Sequence, residues 1–447
     1  MNSTVGKISV PRLSRRRAAV KSPASPLAIA GILATLLLIA GVAYFASFVI
    51  AGLLYVGFFV TIAIMSPQYA YMLIFAAAPF AWDVAGGPVN MAISEISFAL
   101  ALPFILLRSR GSDWARLKNP LWIPICAYFF VCLFSTIANN DLRLALPSLL
   151  QMVLYVIICV VVFSVGIKEY SDIVPAFYGL IVSMAFISML VIVTTSSYVL
   201  GLHKNLIGTE QMYAIVIGFE LWLALALDRR KRKMTLILLI ILVIGLVMSR
   251  SRGAWAGTFV GIVLILLIRR QFGMAMKAML LLVPIIVVGW FLLPKEAREA
   301  AADISTGSRF GSAATRLISV EYAYSIFQSS PIYGAGVGLR KIYDATNLIM
   351  LTLAETGIAG LVTFGGIFVV LLFMAWKAQR RLPKKDPAFS LLVIGIALMF
   401  GKATHGLVDH YWSRGVIPVW AGAGFVAFAY VEAMKRPLLS KGARKTR

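Results

Sequence analysis

Charge is what this 447-residue chain has least of. Asp, Glu, Lys and Arg make up 13% of it, whereas 60% is hydrophobic and the mean hydropathy is +0.89. A soluble chain of this length would form two or three domains and carry about twice that share of charge. The shortage excludes a soluble multidomain protein. Acidic residues are scarcest: 18 Asp and Glu stand against 42 Lys and Arg, a formal net charge of +24. Such an excess suggests a nucleic-acid-binding protein, but the basic residues fall in short clusters between long uncharged runs rather than along a soluble face. Cysteine is limited to Cys126, Cys132 and Cys159. All three lie in apolar runs, where a thiol behaves as a small hydrophobe, so no disulfide framework is implied. No CxxC, Walker A, strand-linked GxGxxG or HExxH occurs, which leaves ATP-driven transport, nicotinamide redox chemistry and zinc hydrolysis without support. No internal repeat marks the inverted halves of a secondary transporter.

What the chain does have is apolar runs of spanning length. About 20 apolar residues cross the hydrocarbon core as a helix. On that basis an all-α, polytopic membrane bundle is expected, with spans at residues 26–43, 48–65, 68–82, 90–107, 120–138, 146–166 and 173–194, then 212–227, 234–248, 254–268, 273–293, 347–376, 387–403 and 415–433. That makes fourteen, or twelve on a stricter reading of the short segments in 26–107. Basic tails at 1–25 and 434–447 and a long loop at 294–345 complete the layout. If the spans alternate, the clusters at 7–21, 108–118, 229–233, 269–270, 380–385 and 435–447 share one side, which short-loop Lys and Arg mark as cytoplasmic. Both termini are then cytoplasmic. Residues 27–65 carry no charge and read as an anchored hairpin rather than a cleaved signal. The whole +24 falls on that side. It orients the helices and touches anionic membrane lipids, with no nucleic acid as partner.

The far side is more specific. Within the long loop, residues 313–328 have helical character, with Leu317, Val320, Tyr324 and Phe327 forming one apolar stripe. All three histidines fall on this side: His203 (next to Lys204), His405 and His410. Singly, each is more often a structural hydrogen-bonding group than a catalyst. His405, Asp409, His410 and Arg414, however, crowd one short connection at the membrane edge, where ionisable groups are costly and commonly functional. The His–His spacing matches no standard metal-ligand pattern, and no metal is expected. Arg250 and Arg252 sit in a very short turn, Ser249-Arg250-Ser251-Arg252-Gly253-Ala254-Trp255. They offer planar donor forks for phosphate or carboxylate. The alternatives are lipid headgroups or pairing with Glu95, Glu210 or Glu220. Arg309, Arg316, Arg340 and Lys341 add charge to the loop. Residues 330–338 form a glycine-rich turn whose amides suit an anion. Asn347 is placed to cap the next helix, and Gly357 and Gly360 would let a neighbouring helix approach closely.

Taken in order, the SRG-A-W element at 249–255, Arg316, the Pro-Ile-Tyr-Gly-Ala-Gly run at 331–336 and the segment 347–360 resemble the O-antigen ligase/O-antigen polymerase superfamily. The similarity covers residues 200–375 in motifs and the whole chain in layout. It implies a GT-C-like fold, no cofactor and no metal, and a place in the bacterial inner membrane. The implied donor is an undecaprenyl-diphosphate-linked oligosaccharide, and the acceptor is another glycan or lipid A-core. A chain-length regulator is a further candidate partner. Arg250, Arg252 and Arg316 would hold the diphosphate, with Asn347, His203, Lys204 and Arg414 also contacting substrate. Ligases of this family place His-Asn nine residues before Gly-x-x-Gly. Here the spacing holds but the first residue is Thr346, whose hydroxyl is no general base near neutral pH. A ligase mechanism relying on that histidine is therefore in doubt; catalysis could lie with His405, Asp409 and His410, a polymerase could dispense with the base, or activity could be lost. A polymerase is favoured over a ligase. An exporter of lipid-linked sugar, the reading from another class, would need charges along a central path, and only Glu95, Glu220 and Glu355 fall clearly inside spans.

Overall fold

In hydrocarbon a backbone amide has no partner but another backbone group, so apolar runs become helices. The computed structural model describes residues 31–32, 34–36, 38–39, 48–80, 92–139, 142–194, 198–199, 202–225, 228–274, 276, 308–339, 347–408 and 416–438. Two units are distinguished, Met1–Tyr55 and Val56–Arg447. Helix α1 (Phe48–Met65) begins in the first, and the site lies in the second. There follow α2 (Pro67–Ala77), α3 (Ile93–Leu107), a short helical segment Gly111–Leu117, α4 (Trp122–Ala138), α5 (Leu142–Met152), a π-helical turn (Val153–Ile158), α6 (Cys159–Val165) and α7 (Tyr170–Val193). A minimal antiparallel hairpin, β1 (Tyr198–Val199) with β2 (Leu202–His203), precedes α8 (Lys204–Ala224), α9 (Arg229–Ser249) and α10 (Arg252–Ile268). The remainder is α11 (Ser308–Ser329), α12 (Leu348–Ala378), α13 (Pro387–Gly406) and α14 (Ile417–Met434).

The chain is an all-α membrane protein. Among the described residues, six helices are long and apolar enough to cross a membrane: Ala145–Val165, α7, α9, α12, α13 and α14. Segment Gly111–Leu117 with α4, bent by 68°, would make a seventh. The expected twelve to fourteen spans are not reached. Most of 26–43 and 273–293 lies outside the described residues, as do both tails and parts of the 294–345 loop. α3 and α10 are apolar but short, and α2 stops at Ala77. α8, expected over 212–227, starts earlier and takes in Glu210 and Glu220, which lower its apolarity.

α13 and α14 form the centre, because they are the most buried of the spanning helices, whereas α9 and α12 turn most of their surface outward. Exposed Ile237, Ile240, Val243, Ile244 and Val247 on α9 suit a lipid-facing surface. Phe163 of α6 anchors the core, meeting Phe98, Phe75 and Phe425 with ring centroids 5.7–6.0 Å apart.

Five of the six basic clusters meet at one end of the bundle. Arg116 pairs with Glu432 at 3.4 Å and lies over the Phe428 ring at 4.6 Å. Arg436 pairs with Asp386, and Arg381 donates to the Arg436 carbonyl at 2.7 Å. Arg232 lies over Trp222 at 4.5 Å. Burial and the nearby Arg270 and Arg269 guanidinium groups hold Lys384 below the usual lysine range. Arg269 closes this end from inside: its Nε is 2.7 Å from Glu220 Oε2 and a second nitrogen is 3.2 Å from Ser390 Oγ. Glu220 has no exposed side-chain surface, so Arg269→Ala would strand a buried carboxylate. The expected loss is about 3–5 kcal/mol, read as a lowered thermal midpoint in detergent. Adding Glu220→Gln to that variant should recover part of the loss.

Candidate functional site

Every other functional residue described gathers at the opposite end. α9 closes on Ser249, and the chain reverses through Arg250, which holds a left-handed backbone at φ 57°. A non-glycine residue adopts that only where its surroundings fix it. Here Ser249 Oγ donates to the Leu246 carbonyl at 2.8 Å, and Trp255 Nε1 donates to the same carbonyl at 2.8 Å. Small residues Ser249, Ser251 and Gly253 point inward and are buried, whereas Arg250 and Arg252 point outward and are exposed. Arg252 opens α10, so its guanidinium adds to the positive end of a helix dipole. Two arginines and a helix start on one tight turn make an anion-favouring surface.

α13 supports the turn from behind. A Cβ on Gly253 would lie 2.7 Å from both His405 Cδ2 and Val408 Cγ2 and 3.2 Å from His405 Nε2, so only glycine lets α10 approach this closely. His405 is 1% exposed, and its Nδ1 lies 3.1 Å from Lys402 Nζ; Lys402 is fully buried. Glu210 of α8 is buried within electrostatic reach of Lys402. Gly208, two residues before it, packs on Ser251. Of the three carboxylates considered as partners for Arg250 and Arg252, two are engaged elsewhere and the third is buried. Glu95 caps α3 by accepting from Ala92 N at 2.9 Å, Glu220 holds Arg269, and Glu210 lies buried in α8.

Asn347 caps α12 as expected: its Oδ1 accepts from Ile349 N at 2.9 Å and Met350 N at 3.1 Å. Its Nδ2 donates to the Leu407 carbonyl at 2.8 Å, tying the start of α12 to the end of α13. The arginine turn, His405 and Asn347, far apart in sequence, therefore share one end.

The glycine-rich turn corrects two expectations. Gly357 breaks α12 at φ 64°, ψ −163°, and it receives this turn, not a neighbouring helix. Ala335 N donates to the Ala354 carbonyl at 2.8 Å and Gly336 N to the Glu355 carbonyl at 3.0 Å. From the other side, Ile358 N donates to the Pro331 carbonyl at 2.9 Å and Ala359 N to that of Ile332 at 3.1 Å. Gly338 N donates to Glu355 Oε1 at 2.9 Å. These amides are taken up within the protein, two by backbone carbonyls and one by the Glu355 carboxylate. Ser135 of α4 and Asn139, which caps that helix, complete the junction through the Glu355 and Gly334 carbonyls.

α11 is helical as expected, but a different face packs. Leu317 and Tyr324 are 60% and 48% exposed, and the inward side is Ser319, Ala323 and Ile326 against Leu351 and Ala354. Close packing on α12 selects small side chains over the largest apolar ones. Arg316, about two turns before Ala323, is exposed on α11.

Residues 237–365 match the family described as O-antigen ligase. The match to that family runs from within α9 to the middle of α12 and takes in Arg250, Arg252, Arg316, Asn347, Glu355 and Gly357. That similarity supports an O-antigen ligase/polymerase-type membrane enzyme, and lipopolysaccharide and related polysaccharide biosynthesis fit the matched family. No curated protein matches the chain. Glu210, Lys402 and His405 lie outside the matched segment and pack onto it. Thr346, Asp409, His410, Arg414, Arg340 and Lys341 lie outside the described residues. His203 ends β2 and Lys204 begins α8, and their side chains likewise lie outside them. Sequence reasoning did not single out Lys402 or Glu210 as site residues. A lysine and a glutamate at the ends of apolar helices were the available signal.

Proposed function

We propose that this protein transfers a glycan from undecaprenyl diphosphate to an acceptor glycan at the outer face of the bacterial inner membrane, extending a surface polysaccharide as a polymerase. The observation that carries the reading is the arginine turn of the matched segment. Two exposed guanidinium groups stand on a rigid reversal at the end of the bundle away from the basic clusters. In the reaction, an acceptor hydroxyl oxygen attacks the anomeric carbon of the donor. The bond from that carbon to the phosphate oxygen breaks, and its electron pair leaves with undecaprenyl diphosphate. Arg250 and Arg252 are assigned to the diphosphate, with Arg316 and the start of α10 adding positive potential. Donors placed where charge develops lower the barrier most. Asp409 and His410 remain candidates for the acceptor proton, with Thr346 and Asn347 orienting the acceptor sugar and His203, Lys204 and Arg414 as glycan contacts.

His405 takes a different part. Buried against Gly253 and Lys402, it positions the turn rather than meeting substrate. His405→Ala should lower the transfer rate about tenfold, since a misplacement near 1 Å can cost more than that, while the pH profile keeps its shape. His405→Gln should recover part of the rate. A profile that loses its acid limb would instead identify His405 as a base.

Thr346 favours polymerase over ligase, because the ligase histidine is absent. The test supplies purified protein with undecaprenyl-diphosphate-linked repeat units and measures freed undecaprenyl diphosphate. Release without lipid A-core is expected. Release only after lipid A-core is added would identify a ligase, and none under either condition would overturn the reading.

A further inference from the structure

One cavity of about 110 Å³ opens between α4, α5, α12 and α14, and its walls include Tyr128, Ser148, Gln151, Glu355 and Trp420. Glu355 lies eight residues into α12, about 12 Å from Asn347 at 1.5 Å per residue, and Ser148 and Trp420 are each within two turns of their helix starts. The cavity thus sits just below the end of the bundle that carries the arginine turn. One wall continues into the π-helical turn Val153–Ile158, a distortion that recurs at functional sites. Its polar groups are fixed: Gly338 N holds one Glu355 oxygen, and Ser135 Oγ holds the Glu355 carbonyl at 2.7 Å. Ser148 is 4% exposed, and its Oγ has no hydrogen-bond partner among the described residues. A buried hydroxyl left in that state is unfavourable unless something fills the place.

The wall chemistry narrows what could enter. A phosphate would face the Glu355 carboxylate and be repelled. A lipid tail would bury the Ser148 hydroxyl without compensation. A sugar fits both halves: its hydroxyl groups both donate and accept, matching the carboxylate, amide and hydroxyl, and its C–H faces match the rings of Tyr128 and Trp420. The volume suits no more than one sugar unit, not an oligosaccharide. We infer that this cavity is a subsite for one hydroxyl-bearing sugar unit of the transferred or accepting glycan, with Glu355 and Ser148 as its hydrogen-bonding partners. The inference rests on the transferase reading for the identity of the glycan.

The test measures binding to the full chain in nanodiscs, using three probes: the undecaprenyl-diphosphate-linked repeat unit, sugar-free undecaprenyl diphosphate, and the lipid-free oligosaccharide. Ser148→Ala and Glu355→Gln should both fold, since the first removes only a hydroxyl and the second keeps an acceptor for Gly338 N. Each should weaken a sugar-bearing probe about tenfold, roughly one lost hydrogen bond, and leave undecaprenyl diphosphate within twofold. Weakening of the lipid-linked probe alone assigns the subsite to the donor, and weakening of the free oligosaccharide assigns it to the acceptor. Unchanged affinity for both sugar probes would overturn the subsite and leave a pocket for water only. Equal weakening of all three would overturn it too, by revealing a structural role. Failure of the transferase reading is seen separately, as wild-type protein that releases no undecaprenyl diphosphate.

Discussion

Replacing Arg250 and Arg252 together with alanine should lower glycan transfer by about a hundredfold or more. Removing a single preorganised donor from a developing oxyanion commonly costs 10²–10³ in rate, and here both donors of one turn are lost. The fold should survive, because both side chains are exposed and neither makes the bonds that hold the reversal. Those belong to Ser249 and Trp255. Alanine at position 250 meets the same left-handed backbone that arginine already accepts, so no new strain enters. Paired lysines keep the charge but not the planar fork, and about a tenfold loss is expected of them. Initial rates at saturating donor, with thermal midpoints alongside, check both points. A double-alanine variant that transfers at the wild-type rate would remove the diphosphate site.

Gly357→Ala should do as much damage by another route. At φ 64°, ψ −163° the backbone lies in a region essentially reserved for glycine. The added Cβ would sit 2.4 Å from the Ile332 carbonyl carbon and oxygen and 2.6 Å from Tyr333 N. These are backbone atoms held by bonds to Ala354, Glu355, Ile358 and Ala359, so they cannot move aside singly. The junction must open, and with it the amide that holds Glu355. A loss of about 3 kcal/mol or more is expected from backbone strain and disrupted hydrogen bonds combined, together with loss of transfer. Gly365→Ala is the matched control. That glycine is helical with nothing within 4 Å of an added Cβ, and alanine there should be neutral or slightly stabilising.

Much of this was legible in the sequence, for local reasons. Uncharged runs name most of the helices, the basic clusters name the end at which Arg116, Arg269, Arg381 and Arg436 meet, and Asn347 announces a cap. The motif order 249–360 carried the family. What escaped notice depends on contacts between distant segments. The amides of the 330–338 turn look free for a ligand until the kink at Gly357 brings Glu355 and its neighbours to them. The apolar stripe through Leu317 and Tyr324 is legible in α11, but periodicity of large residues does not single out Ala323, whose face packs on Ala354. Lys402 reads as one more charge near a histidine; its burial beside His405 and Glu210 emerges only when α8, α10 and α13 are packed. Glu220 looked available to the arginine turn, yet it lies on α8 sixteen residues beyond Lys204, at the other end of the bundle.

The most direct measurement sizes the glycans that remain on lipid when purified protein acts on undecaprenyl-diphosphate-linked repeats without lipid A-core. Each undecaprenyl diphosphate released should be matched by one lipid-linked chain grown by the length transferred. Release with no lengthening, or unchanged repeats and no release, would contradict a polymerase built on the arginine turn.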